Sequence, residues 1–215
     1  MPIGAGEHSA SPADAAAPVV GVLALQGAFD RHRRHLESLG AHAPLVRQAT
    51  DLDHLDAIVI PGGESTTMSH LLTTGGLFDE LAARLTAGLP VLGTCAGMIL
   101  CASAVLDGRD DQRCFGLIDL TVRRNGYGRQ LESFEADLEI TGETQPFHAV
   151  FIRAPYVQHA GTDVEVLATY EGIPVLARSG PCTVAAFHPE LTDDTRVHEM
   201  FLRSLPAASL PTGTP

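Results

Sequence analysis

The stretch from Val91 to Leu100 constrains the fold of this chain more than any other segment. It reads as a short apolar strand that ends at a turn of small residues and continues directly into an apolar helix. The turn is G-T-C-A-G, in which small residues let the chain reverse sharply and leave the Cys95 side chain exposed at the tip. The segment is therefore one strand–helix unit, and its neighbours in the sequence repeat the pattern.

Strands and helices alternate over the first half of the chain. Strands are predicted at 18–25, 42–46, 57–60 and 90–92, and helices at 29–39 and 65–89, the latter broken at Gly75-Gly76. The first strand is a continuous apolar run, which is typical of a strand buried on both faces of a parallel sheet. The alternation predicts an α/β fold, a doubly wound and mostly parallel sheet of the flavodoxin-like kind with flanking helices.

The second half of the chain has a different pattern. Short β-like segments follow one another at 117–123, 131–140, 149–154, 165–170, 174–177 and 182–187, before a last helix at 192–205. We interpret these segments as an antiparallel extension of the sheet and not as a second domain. The predicted organisation is a disordered extension at 1–17, a single domain at 18–205 and a flexible tail at 206–215.

Composition excludes several classes of function. The net charge of −12 makes nucleic acid a poor partner, and no apolar run is long enough for a membrane span. All 14 basic residues are arginine, which excludes Schiff-base chemistry on a lysine. The four cysteines form no C-x-x-C pair, so we expect neither a disulfide framework nor a metal site, and a reducing compartment, the cytoplasm. We expect no cofactor.

Cys95 is a candidate nucleophile. At a helix N-terminus, the helix dipole and the free N–H groups favour the thiolate, which is the form that attacks carbonyl carbons. The alternative is a small buried apolar residue, as most free cysteines are.

A cysteine nucleophile needs a base, and the base needs a group that orients it. His188 and Glu190 follow a buried apolar strand, separated by Pro189. In an extended chain residues i and i+2 project to the same side, so the carboxylate would fix the tautomer of the imidazole. The alternative is an ordinary ion pair at the end of a strand.

Acyl transfer also needs donors for the developing oxyanion. The backbone N–H of Ala96 is one candidate, and the P-G-G-E-S loop, with Gly63, is the other. The alternative is a plain glycine-rich turn in which Ser65 caps the following helix, and the two interpretations are compatible. These residues favour acyl transfer through a thioester without identifying the acyl donor.

Six segments carry a resemblance to a known family, and they run in the family's order over residues 19–204. They are L-Q-G-A-F at 25–29, P-G-G-E-S-T-T-M at 61–68, G-T-C-A-G at 93–97, R-N-G-Y-G-R-Q at 124–130, F-I-R-A-P at 151–155 and F-H-P-E-L-T-D-D at 187–194. The cysteine turn and H-P-E resemble the triad-type (class I) glutamine amidotransferases in general. L-Q-G-A, P-G-G-E-S-T and F-I-R-A-P resemble more particularly the glutaminase subunits of pyridoxal 5′-phosphate synthase.

The resemblance implies a specific reaction and partner. Cys95 would attack the side-chain amide of L-glutamine, with His188 as the proton carrier and Glu190 as its orienting group, and the ammonia would pass to a (β/α)8-barrel synthase subunit. The family's glutamine-binding residues match Gly63, Glu64, Ser65, Arg124, Ile152 and Arg153. Gln26 matches a position near the active site and the interface, so it is a candidate for coupling the two subunits.

One position departs from the family, and other functions stay open. Gly126 stands where family members usually carry a side chain, which would loosen the loop after Arg124. The alternatives are a glutaminase subunit of another amidotransferase, a hydrolase of γ-glutamyl peptides, a cysteine protein of the protease or stress-response type, and a catalytically silent regulatory subunit.

Overall fold

The structure is a computed structural model that describes residues 17–124 and 133–206. Five α-helices are present in these ranges: α1 (Phe29–Ser38), α2 (Ser65–Thr74), α3 (Phe78–Thr86), α4 (Ala96–Cys101) and α5 (Arg196–Arg203). Twelve strands accompany them: β1 (Val20–Leu23), β2 (Leu45–Val46), β3 (Ala57–Ile60), β4 (Val91–Thr94), β5 (Ala102–Val105), β6 (Ile118–Arg123), β7 (Ser133–Leu138), β8 (Phe147–Ile152), β9 (Tyr156–Ala160), β10 (Glu165–Tyr170), β11 (Ile173–Ser179) and β12 (Cys182–Ala185). Two 3-10 helices lie at Ala49–Leu52 and Pro189–Leu191.

The main sheet has seven strands in the order β10-β11-β12-β4-β3-β1-β2. The five strands from β12 to β2 run parallel to one another. All four residues of β1, β3, β4 and β12 are buried, which explains why these strands are uninterrupted runs of apolar and small residues. The prediction of a mostly parallel α/β sheet is confirmed.

The strand order reverses at β1. The chain passes from β1 outward to β2, then returns to place β3 and β4 on the other side of β1. In such sheets ligands bind beyond the carboxyl ends of the strands, near the point of reversal. The ends of β1, β3, β4 and β12 all lie at this edge because these strands are parallel and adjacent.

The second half of the chain contributes to three sheets. Strands β10 and β11 form the expected antiparallel extension of the main sheet, since β11 runs antiparallel to both of its neighbours. The expectation that the segments at 117–123, 131–140 and 149–154 also extend the main sheet is wrong. Strands β5, β6 and β9 form a separate three-stranded sheet, and β7 pairs with β8 in a two-stranded one.

Several predicted boundaries are corrected by the structure. Strands β5 and β9 were not predicted, and three of the four residues of β5, A-S-A-V, are small residues with little intrinsic strand preference. The last helix begins at Arg196 and not at residue 192, because residues 189–191 form a 3-10 turn first. The predicted terminal segments at 1–17 and 206–215 lie almost entirely outside the described residues, so that division of the chain stays a prediction.

Candidate active site

The candidate residues meet at the carboxyl edge of the main sheet. Gln26 follows β1, Gly63 follows β3, Cys95 follows β4 and His188 follows β12. Each residue comes from the end of one of four adjacent parallel strands. Residues 26 and 188 are thereby brought together by the topology of the sheet.

Cys95 lies on a sharp turn between β4 and α4. Its backbone has φ of 49°, a left-handed conformation that is uncommon for a residue with a side chain. The turn is held because the Cys95 N–H donates to the Ala185 carbonyl oxygen at 2.8 Å. Close packing also requires Gly97, where a Cβ atom would stand 2.1 Å from the carbonyl oxygen of Ile60. This is the sharp strand–helix turn that the G-T-C-A-G sequence predicts. The expectation that Cys95 is exposed at its tip is wrong, because the residue is buried and only 6% exposed.

His188 is held by Glu190 through a 2.8 Å contact between Nδ1 and Oε1. The sequence argument for this pair assumed an extended backbone, and that part is wrong. His188 instead precedes the 3-10 helix Pro189–Leu191, so the chain turns back and brings the carboxylate under the ring. The Glu190 side chain has no exposed surface and that of His188 is 12% exposed, which separates the pair from competing water.

The contacts of His188 and Glu190 shift the pKa of each side chain in the direction that favours its charged form. Burial lowers the pKa of His188, but its hydrogen bond to Cys95 and its contact with Glu190 outweigh this and raise the pKa to about 10. Burial raises the pKa of Glu190, but His32 and His188 together hold that pKa well below its usual range. The site therefore favours a histidine that keeps its proton beside the cysteine.

Gly62 lies directly against the cysteine and the histidine. A Cβ atom at this position would stand 2.4 Å from Cε1 of His188 and 3.3 Å from Cβ of Cys95. The loop after β3 thus packs its backbone on the side chains of Cys95 and His188, and only glycine leaves them this room. From the sequence, we expect the glycines of this loop to allow a close approach to a ligand; in the structure they allow a close approach to these two side chains.

Glu64 both caps α2 and holds Arg124. Its carboxylate accepts hydrogen bonds from the N–H groups of Thr66 and Thr67, from the Thr67 hydroxyl, and from Arg124 Nη2 at 2.5 Å. Burial raises the pKa of Glu64, but the Thr67 and Thr66 donors outweigh it and lower the pKa to about 2. The capping residue is therefore Glu64 and not Ser65.

A cavity of about 160 Å³ opens over Cys95. Its wall contains every predicted substrate-binding residue and one that was not predicted, Ile99. The lining residues are Gly63, Glu64, Ser65, Cys95, Ile99, Arg124, Ile152, Arg153 and His188. Ile99 reaches the wall because it lies one helical turn after Cys95 on the same face of α4, a spacing from which the sequence could have indicated it. Ala96 begins α4 and is buried beside Cys95.

Two polar groups in the cavity wall are without partners among the described residues. Ser65 is 3% exposed, and its hydroxyl makes no hydrogen bond there. The Arg153 guanidinium makes no hydrogen bond or ion pair within residues 17–124 and 133–206, whereas Arg124 is bound to Glu64. The Ile152 carbonyl oxygen lies 3.8 Å from the Cys95 sulfur. A small molecule with an anionic group and hydrogen-bond donors would supply partners for these groups of the cavity wall.

Gln26 supports the cavity from the loop after β1. Its side-chain oxygen accepts the N–H of Glu64 at 2.9 Å, so the residue fixes the loop that carries Gly63 and Glu64. Gly126, the departure from the family pattern, lies outside the described residues.

Among the described residues, no helix is both long and apolar enough to cross a membrane. In the same residues no group of three or more histidine, cysteine, aspartate or glutamate side chains is arranged to hold a metal ion.

A cysteine on a strand–helix turn, beside a histidine held by a carboxylate, is the arrangement used by acyl-transfer enzymes with a cysteine nucleophile. Comparison with known proteins narrows this class. Residues 22–206 match the SNO glutamine amidotransferase family, and the chain belongs to that family. The family resemblance inferred from the sequence is thereby confirmed.

Individual relatives agree with the assignment. The chain is 56% identical over 185 residues to the pyridoxal 5′-phosphate synthase subunit PdxT of Mycobacteroides abscessus, covering 86% of this chain and 96% of the relative. A crystal structure of a glutamine amidotransferase superposes with a TM-score of 0.81 at 46% identity, covering 86% of this chain and 97% of that one. The structure of PurLQS from Thermotoga maritima, at 16% identity and a TM-score of 0.61 over 87% of this chain and 99% of that one, shares the fold.

Proposed function

We propose that this protein hydrolyses L-glutamine to L-glutamate and ammonia through a thioester on Cys95, and that the ammonia is used by a synthase subunit to make pyridoxal 5′-phosphate. The glutaminase activity and the biosynthetic assignment follow from membership of the SNO family and from relatives named as subunits of that synthase. The observation that carries the residue roles is the cavity over Cys95, in which His188 and the predicted substrate-binding residues meet.

The chemistry begins with the Cys95 thiolate, which attacks the side-chain amide carbon of glutamine. The carbon–sulfur bond forms as the carbon–nitrogen bond breaks, and protonated His188 gives its proton to the leaving nitrogen, which departs as ammonia. Water then attacks the thioester, His188 takes a proton from that water, and glutamate leaves as the thiolate is restored. The backbone N–H groups of Ala96 and Gly63 stabilise the oxyanion in both steps.

Arg153 binds the α-carboxylate of glutamine in this proposal. It is the cation in the wall without a partner among the described residues, and a guanidinium matches a carboxylate with two parallel donors. Ser65 contributes its unpaired hydroxyl, and the Ile152 carbonyl oxygen accepts an N–H of the substrate. Glu64 acts mainly through Arg124, since its two oxygens already accept four hydrogen bonds.

The partner is proposed to be a (β/α)8-barrel subunit that docks near the loop held by Gln26, and neither nucleic acid nor a membrane takes part. The four cysteines, all without disulfides, are typical of the reducing cytoplasm, where we place the reaction. The catalytic unit is proposed to be the single domain at 18–205.

The test is glutamate release from L-glutamine, measured with and without the synthase subunit. We expect turnover that appears or rises when the synthase is added. No turnover under any condition, with a folded protein, would indicate a silent regulatory subunit. Turnover only with γ-glutamyl peptides, or stimulation only by another synthase, would refute the substrate or the partner.

Three variants test the roles of the triad. Cys95→Ala should abolish turnover without unfolding the protein, and His188→Asn should be nearly as damaging because no proton carrier remains. Glu190→Gln should reduce kcat less, since this residue orients the imidazole and transfers no proton. Near-wild-type turnover in Cys95→Ala, or a larger loss in Glu190→Gln than in His188→Asn, would contradict these roles.

A further inference from the structure

A row of three histidines extends from the triad to the protein surface. His32 on α1 places Nε2 3.2 Å from Oε2 of Glu190. Its other ring nitrogen, Nδ1, lies 2.9 Å from Nε2 of His198 on α5. His198 Nδ1 in turn lies 3.3 Å from Nδ1 of His35, which is half-buried at a surface depression. The reaction described above uses none of the three rings.

Burial makes this row unusual. His32 and His198 have no exposed surface and Glu190 is 1% exposed, so water does not replace a lost contact between them. A buried polar group without a partner is costly, and the carboxylate of Glu190 is the most polar group in the row. One of its oxygens is bound by His188. The other, Oε2, makes no hydrogen bond among the described residues, and the ring nitrogen beside it is His32 Nε2 at 3.2 Å.

The distances admit two sets of hydrogens for three neutral rings, which run in opposite directions. In one set His32 Nε2 is bare and accepts from the Thr94 hydroxyl, which leaves the buried Glu190 Oε2 without a donor. The cost of that unpaired oxygen favours the other set. If His32 carries its hydrogen on Nε2, it donates to Glu190 and leaves Nδ1 bare to accept from His198 Nε2–H. His198 Nδ1 is then bare and accepts from His35 Nδ1–H. Each ring donates toward the carboxylate and accepts from the ring behind it, so every nitrogen between His35 and Glu190 has a role.

We propose that His32 is a positioning residue of the glutaminase reaction, which donates its Nε2–H to Glu190 Oε2 and is held in that tautomer by His198. With one oxygen bound to His188 and the other to His32, the carboxylate cannot rotate, and the imidazole that it orients stays in register with Cys95. Thr94, the residue before Cys95, places its hydroxyl oxygen 3.2 Å from the same His32 nitrogen and ties the arrangement to β4. The proposal rests on the proposed glutaminase function.

Burial favours the neutral forms of His198 and His35. Burial lowers the pKa of His198 well below its ordinary value, and burial together with His32 lowers the pKa of His35. The charged groups that act on His35 at the outer end of the row are Arg31 on α1 and the carboxylates of Asp193 and Asp194 in the loop before α5. At the inner end of the row, Glu190 is the negatively charged group that His32 faces.

A matched pair of variants tests the donor. The side-chain amide nitrogen of His32→Gln can reach the position of Nε2 and donate to Glu190, whereas the shorter His32→Asn cannot. We expect His32→Asn to lower kcat for glutamine roughly 10- to 100-fold with little change in KM, as a misplacement of about 1 Å does. We expect His32→Gln to restore kcat to within about threefold of wild type. The exposed His42→Gln is the control for the substitution itself.

A pH profile separates positioning from a merely structural role. Loss of the His32 donor removes an interaction that lowers the pKa of Glu190, so Glu190 becomes protonated at a higher pH. The acid limb of the kcat profile should therefore move to higher pH in His32→Asn and return in His32→Gln. A structural defect would instead lower the folded fraction, seen as reduced melting temperature, and leave the limb in place.

The ring nitrogens provide a readout that does not depend on activity. Nitrogen-15 NMR of the wild-type protein at neutral pH should show His32 and His198 protonated on Nε2 and bare on Nδ1. A different tautomer at His32, wild-type kcat in His32→Asn, or equal losses in His32→Asn and His32→Gln would overturn the proposal. Absence of glutaminase turnover in the wild-type protein would refute the proposed function instead. The tautomers of His32 and His198 would then test only the hydrogen-bond arrangement of the three histidines.

Discussion

Gly62 allows a direct test of how tightly the active site is packed. The substitution Gly62→Ala adds a single methyl group to the loop after β3. An ideal Cβ there lies 2.4 Å from Cε1 and 3.0 Å from Nδ1 of His188, and 3.3 Å from Cβ of Cys95. The backbone of Gly62 is outside the left-handed region, so alanine adds a contact without adding backbone strain.

The size of the effect follows from the overlap. Carbon atoms in ordinary contact are at least about 3.4 Å apart, so the His188 ring or the loop must move by about 1 Å. A shift of this size in a reacting group costs about 100-fold in rate, which corresponds to about 2.7 kcal/mol in the activation free energy. The ring is the more movable of the two, but its shift would also lengthen the 2.8 Å contact with Glu190.

The assay is kcat for glutamine in the presence of the synthase, with the melting temperature measured in parallel. Gly142→Ala is the control, because no atom lies within 4 Å of its added methyl group. Because the φ of Gly142 is 87°, alanine at this position should lower the free energy of unfolding by about 1–2 kcal/mol, while kcat stays unchanged. If kcat of Gly62→Ala stays within about threefold of wild type, the close packing of the loop on His188 does not matter for the reaction.

Two further predictions concern the cavity wall. Arg153→Ala should raise KM for glutamine roughly 10- to 100-fold with a smaller effect on kcat, since a charge-assisted hydrogen bond contributes about 1.5–3 kcal/mol; steady-state kinetics test this, and an unchanged KM would contradict the contact with the α-carboxylate. The pKa of Glu64 is lowered from 4.5 to about 2, so its stabilising contribution is present above pH 4.5 and is lost as the pH falls toward 2. Urea unfolding of wild type and Glu64→Gln should therefore give a difference in unfolding free energy that shrinks over this window, and a constant difference would exclude the linkage.

The parallel core could be predicted because its strands are buried on both faces. The run A-I-V-I in β3 has no polar residue, C-T-V-A in β12 has no charged one, and glycines end the helices between the strands. The small sheets are different. Their pairings join segments far apart in sequence, such as β6 with β9, and no local signal specifies which segments will pair.

The candidate site was found from the sequence where its residues are neighbours in a motif. Cys95 stands in a recognisable turn, and His188 with Glu190 is a local pair, although the backbone between them turns and is not extended. Gly62 looked like one more glycine of a loop, since only the fold shows which side chains lie against it. His32 looked like one of ten histidines, because its partners on α5 and after β12 are more than 150 residues away.

At the active site, Glu190 connects the ends of the parallel strands with the helices α1 and α5. The reacting groups come from the ends of parallel strands, whereas His32 and His198 come from α1 and α5, the helices packed behind that edge. The distance of a residue from the substrate cavity is thus a poor guide to how strongly its substitution affects catalysis. His198 lines no part of the cavity over Cys95, yet one imidazole ring connects it to the catalytic carboxylate. Exposed Val166 on β10, at the far edge of the same sheet, has no such connection, so substitutions there should leave catalysis unchanged while those at the α1–α5 contact reach it through Glu190.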